Sequence, residues 1–387
     1  GANNVAVGKT ALTTNSTGTK NTALGKSAMH FNTTADNNTA IGYESLAANT
    51  TGTNNTALGA NALDSNTTGS GHTALGKQAG HNITTGQRNT TVGYLSLSEN
   101  TTGSNNVALG ALALRENTTA GDNVAIGDSA MIVNTTGEQN TAMGSQALDA
   151  NTTGSHNVAI GRLAMTDSTT GGHNTAVGDN ALANNTIGAE NTSIGHASLL
   201  SATTGNYNTA IGLHAGKDVT TGSDNVFLGY KAGRGQVTTH TQQLWIARDS
   251  TAESTSAVWI FGNSSGACHQ GNNSSSWSTT SDERIKKDIV DSTDGLAKID
   301  ALKVRNFNYR TQDEITTDNF TACDSSGLQT GVIAQEIESV LPSAVSENHK
   351  GMKNVNTDPI FWAMVKAIQE LSAKNDALEA RITTLEG

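Results

Sequence analysis

A unit of 17 residues recurs fourteen times, beginning at Asn4, Asn21, Asn38, Asn55, His72 and Asn89 and continuing at the same interval to Asn225. An unbroken period of this kind specifies a stack of like turns, because each unit can order only against its neighbours. Every copy opens with a polar residue, Thr or Val, a third residue that is most often Ala, and an aliphatic residue or Met. Gly always follows, from Gly8 to Gly229. The eighth position is only ever Ala or Ser, as at Ala11, Ser45, Ala147 and Ala232, and the twelfth to fifteenth positions read roughly Asn-Thr-Thr-Gly, as at Asn49–Gly52 and Asn134–Gly137.

Alternation over Thr39-Ala40-Ile41 predicts a short strand with the aliphatic residue on one face and Ala on the other. The aliphatic fourth position and the apolar ninth (Leu12, Met29, Leu46, Leu63) are the expected inward contacts. Asn-Thr-Thr-Gly reads as turn chemistry, since Asn and Gly tolerate positive φ. Helix is disfavoured by Gly and polar β-branched residues in every unit. Each copy is therefore one coil of a β-roll. Coils stacked at about 4.8 Å make a rod on the order of 65 Å long. With only 35% hydrophobic residues overall, two or three aliphatics per coil are few for an isolated solenoid, so three chains sharing one core are expected. The Asn-Thr-Ala-Ile-Gly run followed by a small residue resembles the head repeats of trimeric adhesins. That resemblance implies a left-handed trimeric β-roll. The Thr columns read as hydrogen-bonded turns, with an ice-binding face as the rival. His72, His156 and His173 read as loop residues.

After Gly233 the repeat decays. Gln243–Ala247 and Ala257–Gly262 read as two strands able to pair or close the roll, and Trp245, Trp259 and Trp277 gather there. Capping of the solenoid is one reading; a receptor-binding tip built on these tryptophans is the other. Beyond residue 280 charge density rises and both prolines, Pro342 and Pro359, appear, which marks an ordinary α+β sequence. Leu296–Leu302 predicts a short helix; Val304–Tyr309 and Leu328–Ile333 predict strands. The chain ends on Phe361, Met364, Ile368, Leu371, Asn375, Leu378, Ile382 and Leu385, spaced alternately three and four residues apart as the a and d positions of a coiled coil. Asn375 falls at a core position, where one polar residue fixes register.

Between these halves lies Thr280-Ser281-Asp282-Glu283-Arg284-Ile285-Lys286-Lys287. Read alone, it is a capping box opening a helix, with Thr280 as the cap and Glu283 reaching back. Together with Gly331–Ile337, which contains Ala334-Gln335-Glu336, and with the terminal heptads, it resembles the intramolecular chaperone domain (peptidase S74 type) of bacteriophage tail fibres and tailspikes. The resemblance implies self-cleavage between Thr280 and Ser281. Ser281 would be the nucleophile and Lys286 the base, with Asp282, Glu283, Arg284, Gln335 and Glu336 in support. No turnover enzyme is implied.

The expected organisation is mainly β. A shaft of fourteen repeats spans 1–233 and a transition with the distal tip spans 234–280. A small α+β chaperone domain follows at 281–359, and a trimeric coiled-coil helix at 360–387. The expected partners are two further copies of the chain, a host-surface receptor, taken to be a glycan, and other virion tail proteins through a part preceding residue 1. A net charge of −11 argues against nucleic acid, and no apolar run is long enough to span a membrane. No cofactor or metal is expected; Cys268-His269 lacks the partner spacing of a metal site. The rivals are a bacterial trimeric surface adhesin, an ice-binding solenoid and a tailspike glycosidase. The last needs paired carboxylates on a shaped groove, whereas acidic residues here shift position from copy to copy.

Overall fold

The computed structural model describes residues 1–235, 238–248, 258–262, 264, 268–270, 287–315, 327–347 and 352–386. They divide into two compact units, Gly1–Trp277 and Ser278–Gly387.

In the first unit each repeat contributes one three-residue strand, from β1 (Val5–Val7) through β8 (Val124–Ile126) to β14 (Val226–Leu228). Consecutive strands pair in parallel at a fixed offset of one repeat: Val5 faces Thr22, Ala108 faces Ala125 and Thr209 faces Val226. The result is a β-solenoid of about fourteen turns. Next, β15 (Leu244–Ala247) pairs in parallel with β14. An antiparallel pairing with β16 (Val258–Gly262) follows, and then β17 (Cys268–Gln270). The strands expected around Trp245 and Trp259 thus end the sheet.

The core differs from the expected one. The Ala at the third position of the coil is buried (Ala40, Ala108, Ala159), as are the small eighth residue and the Leu or Met at the ninth (Ala147 with Leu148, Ala164 with Met165). The aliphatic fourth position faces outward instead: Leu24, Leu58, Ile160 and Ile211 are 37–45% exposed. The cause lies in the turn after the strand. Its seventh and ninth residues adopt positive φ even when they are not Gly, as at Glu44 (52°) and Leu46 (53°). That folds the eighth and ninth residues back onto the third and leaves room there for little beyond a methyl group. A stripe of half-exposed aliphatic side chains is left along the strand face.

Polar groups hold the coils together. The first Asn of each unit forms a buried ladder: Asn123 Oδ1 accepts from the Asn140 backbone N–H at 2.9 Å, and Asn123 Nδ2 donates to the Gly137 carbonyl at 2.9 Å. A second Asn column sits at the twelfth position, with Asn134 Nδ2 donating to Asn117 Oδ1 at 2.8 Å and to the Gly137 carbonyl at 2.9 Å. Thr hydroxyls complete the lattice, such as Thr135 Oγ1 donating to the Thr152 carbonyl at 2.9 Å. The Asn-Thr-Thr-Gly segment is a turn, but not for the expected reason: its Asn is a buried rung and is not among the residues with positive φ. Its last residue lies tight against the next coil: a Cβ on Gly137 would lie 2.3 Å from the Gly154 carbonyl oxygen, although Ala35 and Ala120 are accommodated at the same position of their own coils. The Gly after each strand is required twice over. Gly127 has φ 136°, and a Cβ there would approach the Gly144 carbonyl oxygen to 2.5 Å.

The second unit is small and mixed. Helix α1 (Leu296–Ala301) precedes β18 (Arg305–Phe307), which pairs antiparallel with β19 (Gln329–Gly331). Helix α2 (Ala334–Val340) leads into the hairpin of β20 (Val345–Glu347) and β21 (Lys353–Val355), and α3 runs Thr357–Glu386. The core joins Ile337, Leu341, Ala344 and Ala363, with Ile299, Val332 and Ile360 packed against it. The terminal helix begins before the expected residue 360. Pro359 sits in its first turn, where a missing N–H costs nothing.

Candidate functional site

Thr280, Ser281, Asp282, Glu283, Arg284 and Lys286 lie outside the described residues, as does Trp277; the described chain resumes at Lys287. The observable geometry is that of the described residues on either side of this segment.

Gln335 and Glu336 occupy the first turn of α2, at the end of the segment led in by β19, as the sequence pattern requires. Gln335 is exposed. Glu336 is clasped by Arg305 of β18, with Nη2 donating to Oε1 at 2.7 Å and Nε to Oε2 at 3.1 Å. The two-pronged guanidinium holds the Glu336 carboxyl below the usual carboxylate range, and the carboxylate in turn raises Arg305. Because the pair is solvent-accessible, its value lies in geometry: it fixes the start of α2 against the sheet.

Sequence patterns did not reveal two further fasteners. Lys298 of α1 donates from Nζ to the Val340 carbonyl at 2.6 Å, at the end of α2. Glu370 of α3 accepts from the Leu296 backbone N–H at 2.9 Å, which caps α1. Neither belongs to a local motif, since the partners are 42 and 74 residues apart.

Helix α3 docks on this core through Ala363 and Ala367, which are buried. Its heptad face points elsewhere. Phe361, Met364, Ile368, Leu371, Leu378, Ile382 and Leu385 are all exposed, with Ile368 at 67%. Asn375 is exposed in the same row and donates to Glu379 Oε1 at 3.1 Å. The predicted seam is thus an apolar row, broken at Asn375, that no described residue of the chain covers.

The tryptophans separate. Trp245 is half-buried, packs against the shaft core and stacks on Phe261 at 5.7 Å between ring centroids. Its buried Nε1 has no hydrogen-bond partner among the described residues. Trp259 is 62% exposed. Of the candidate tip residues that are described, Trp245 packs on the shaft core and Trp259 leaves its ring exposed.

Among the described residues no group of three or more His, Cys, Asp or Glu is placed to hold a metal ion. No described helix is long and apolar enough to cross a membrane. No solved structure matches the chain. A protein-family model does match: Peptidase_S74, described as chaperone of endosialidase, over residues 281–346. The match begins at Ser281, the residue read as the nucleophile. The chain is a β-solenoid of about fourteen turns followed by a region, residues 281–346, that matches the Peptidase_S74 chaperone family.

Proposed function

We propose that this chain is a homotrimeric shaft of a virion tail fibre, aligned by its C-terminal region, which then cuts itself off between Thr280 and Ser281. The observation that carries the reading is the chaperone-family match beginning at Ser281. Two uncovered apolar stripes support it, the fourth-position column of the shaft and the heptad face of α3. Three shafts that meet along a repetitive outward stripe associate through non-local contacts and are prone to slip by one coil, because every coil offers nearly the same surface. A helical seam marked by Asn375 sets the chains level first.

Cleavage follows from the residue types. Neutral Lys286 Nζ takes the Ser281 hydroxyl proton, and Oγ attacks the Thr280 carbonyl carbon. The C–N bond breaks, the departing Ser281 nitrogen gains the proton, and an ester links Thr280 to Oγ. Water then hydrolyses the ester to a Thr280 carboxylate and a free Ser281 N-terminus. The cationic neighbours Arg284 and Lys287 would help keep Lys286 neutral. Once the aligning region has left, the shaft is trapped kinetically. The freed end then carries Trp259 towards a surface receptor, with a glycan as the expected ligand.

Denaturing mass spectrometry tests this. Wild-type protein should give fragments 1–280 and 281–387, while Ser281→Ala and Lys286→Met should each leave one chain of 39.8 kDa. Native mass spectrometry should show three copies. Fragments persisting in Ser281→Ala, or an intact monomer from the wild type, would overturn the proposal.

A further inference from the structure

One side-chain column of the shaft changes size abruptly around its third coil. The tenth and eleventh positions carry His30-Phe31 in one coil, Ala47-Ala48 in the next and Asp64-Ser65 in the one after. Backbone bonds from Phe31 N–H to the Ala47 carbonyl and from Ala48 N–H to the Asp64 carbonyl, each 2.9 Å, show that these pairs are directly stacked. Two alanines between larger neighbours leave a trough of about 320 Å³, with Glu44 on its lining. That volume sits at the lower end of the about 300–1,000 Å³ typical of small-molecule pockets.

The walls have complementary chemistry. Phe31 is the single aromatic residue at its position in any coil; it is largely exposed and meets His30 edge-on at 4.4 Å. Two coils away, Asp64 is half-buried, and burial raises its carboxyl above the ordinary value; His81, 3.9 Å from it, opposes that shift. Glu44 Oε2 accepts from Asn61 Nδ2 at 3.3 Å. The walls therefore stand about 10 Å apart, two coil spacings. One wall offers the Phe31 ring and the other the Asp64 carboxylate, with the Glu44 carboxylate on the coil between them.

We infer that this trough binds one hexose or hexosamine unit of a surface glycan. The C–H face of a pyranose packs on Phe31, and its hydroxyl or ammonium donors bond to Glu44 and Asp64. Two carboxylates on a chain of net charge −11 exclude an anionic sugar. None of the lining residues belongs to a strand, so the apolar strand stripe is a separate surface. The inference rests on the attachment reading only for the source of the sugar.

Saturation-transfer NMR on the full chain tests it with glucose, galactose, glucosamine and N-acetylneuraminate as probes. A neutral or amino hexose should gain signal and the anionic sugar should gain none. Phe31→Ala should reduce the signal at least about fivefold. Ala48→Phe fills the trough with the residue that the preceding coil already carries there, and should abolish the signal while the melting curve stays unchanged. No signal from any probe, a signal from the anionic sugar alone, or a signal unaffected by Ala48→Phe would overturn the inference. Self-cleavage in the same preparations reports separately on the chaperone reading, so either idea can fail alone.

Discussion

His72 takes the place of Asn in the buried ladder, and its Nδ1 accepts the backbone N–H of Asn89 at 3.2 Å. On its other side Nε2 meets the Gly86 carbonyl at 2.8 Å, so the ring must be the neutral tautomer that carries its proton on Nε2. Imidazole thus reproduces both functions of an Asn side chain, one acceptor and one donor, at 1% exposure. Burial lowers its pKa from 6.5 to about 4, because a charged imidazolium would lose its hydration inside the shaft.

That rung makes the shaft acid-sensitive. Between pH 6.5 and about 4 the unfolded chain binds a proton that the folded chain does not, so stability is complete above pH 6.5 and declines as pH falls to 4. The loss approaches about 3 kcal/mol per chain. Denaturant midpoints at pH 7 and pH 4.5 should differ more in the wild type than in His72→Asn.

Core volume is conserved across coils. Phe227 fills a third position that is elsewhere small, and the ninth positions beside it are Gly216 and Gly233. A Cβ on Gly216 would lie 2.7 Å from the Phe227 ring, and one on Gly233 would lie 2.3 Å from it. Gly216→Ala should cost about 1–3 kcal/mol through overpacking, and Phe227→Ala about 3–5 kcal/mol through the cavity. Gly216→Leu with Phe227→Ala approaches the ordinary coil and should be less destabilised than Phe227→Ala alone, a coupling that a double-mutant cycle measures.

The ladder predicts a large effect from one amide. Asn123→Ala strips the partner from the Asn140 N–H inside the shaft and leaves the Gly137 carbonyl with the Asn134 amide alone. The expected cost is about 1–3 kcal/mol, that of one abandoned buried N–H. Amide exchange should quicken first at Asn140.

In the terminal helix, Asn375→Leu should raise the melting temperature of the seam and relax its choice of register or copy number. Sedimentation of the Asn375→Leu chain beside the wild type would report the broadened distribution.

The stacking period was legible because Gly8 through Gly229 recur where no Cβ fits. The terminal helix and the strand leading into Gln335-Glu336 were legible from local patterns. What the sequence did not betray was the direction of burial. Ile41 looks like core beside Ala40, yet the positive φ at Glu44 and Leu46 turns the coil so that Ala40 is inside. The Asn ladder was hidden for a related reason: Asn at a turn reads as conformational tolerance, and only coil-to-coil stacking shows Asn32 and Asn49 bonding to one another at 3.0 Å. His72 was misjudged with them, while His156 and His173 are exposed and stack on each other at 4.7 Å. At the junction the family likeness carried the reading, since Lys298 and Glu370 meet their partners only through the fold.

The fixed 17-residue offset also leaves the length of the shaft unconstrained. A coil inserted between two ordinary coils receives the same amide, hydroxyl and backbone bonds that it passes on. Gain or loss of a unit therefore changes reach by about 4.8 Å without creating an unmatched surface. Sites that draw on several unlike coils, such as the trough between Phe31 and Asp64, do not share this freedom. Duplication outside them leaves them whole; duplication within them takes them apart.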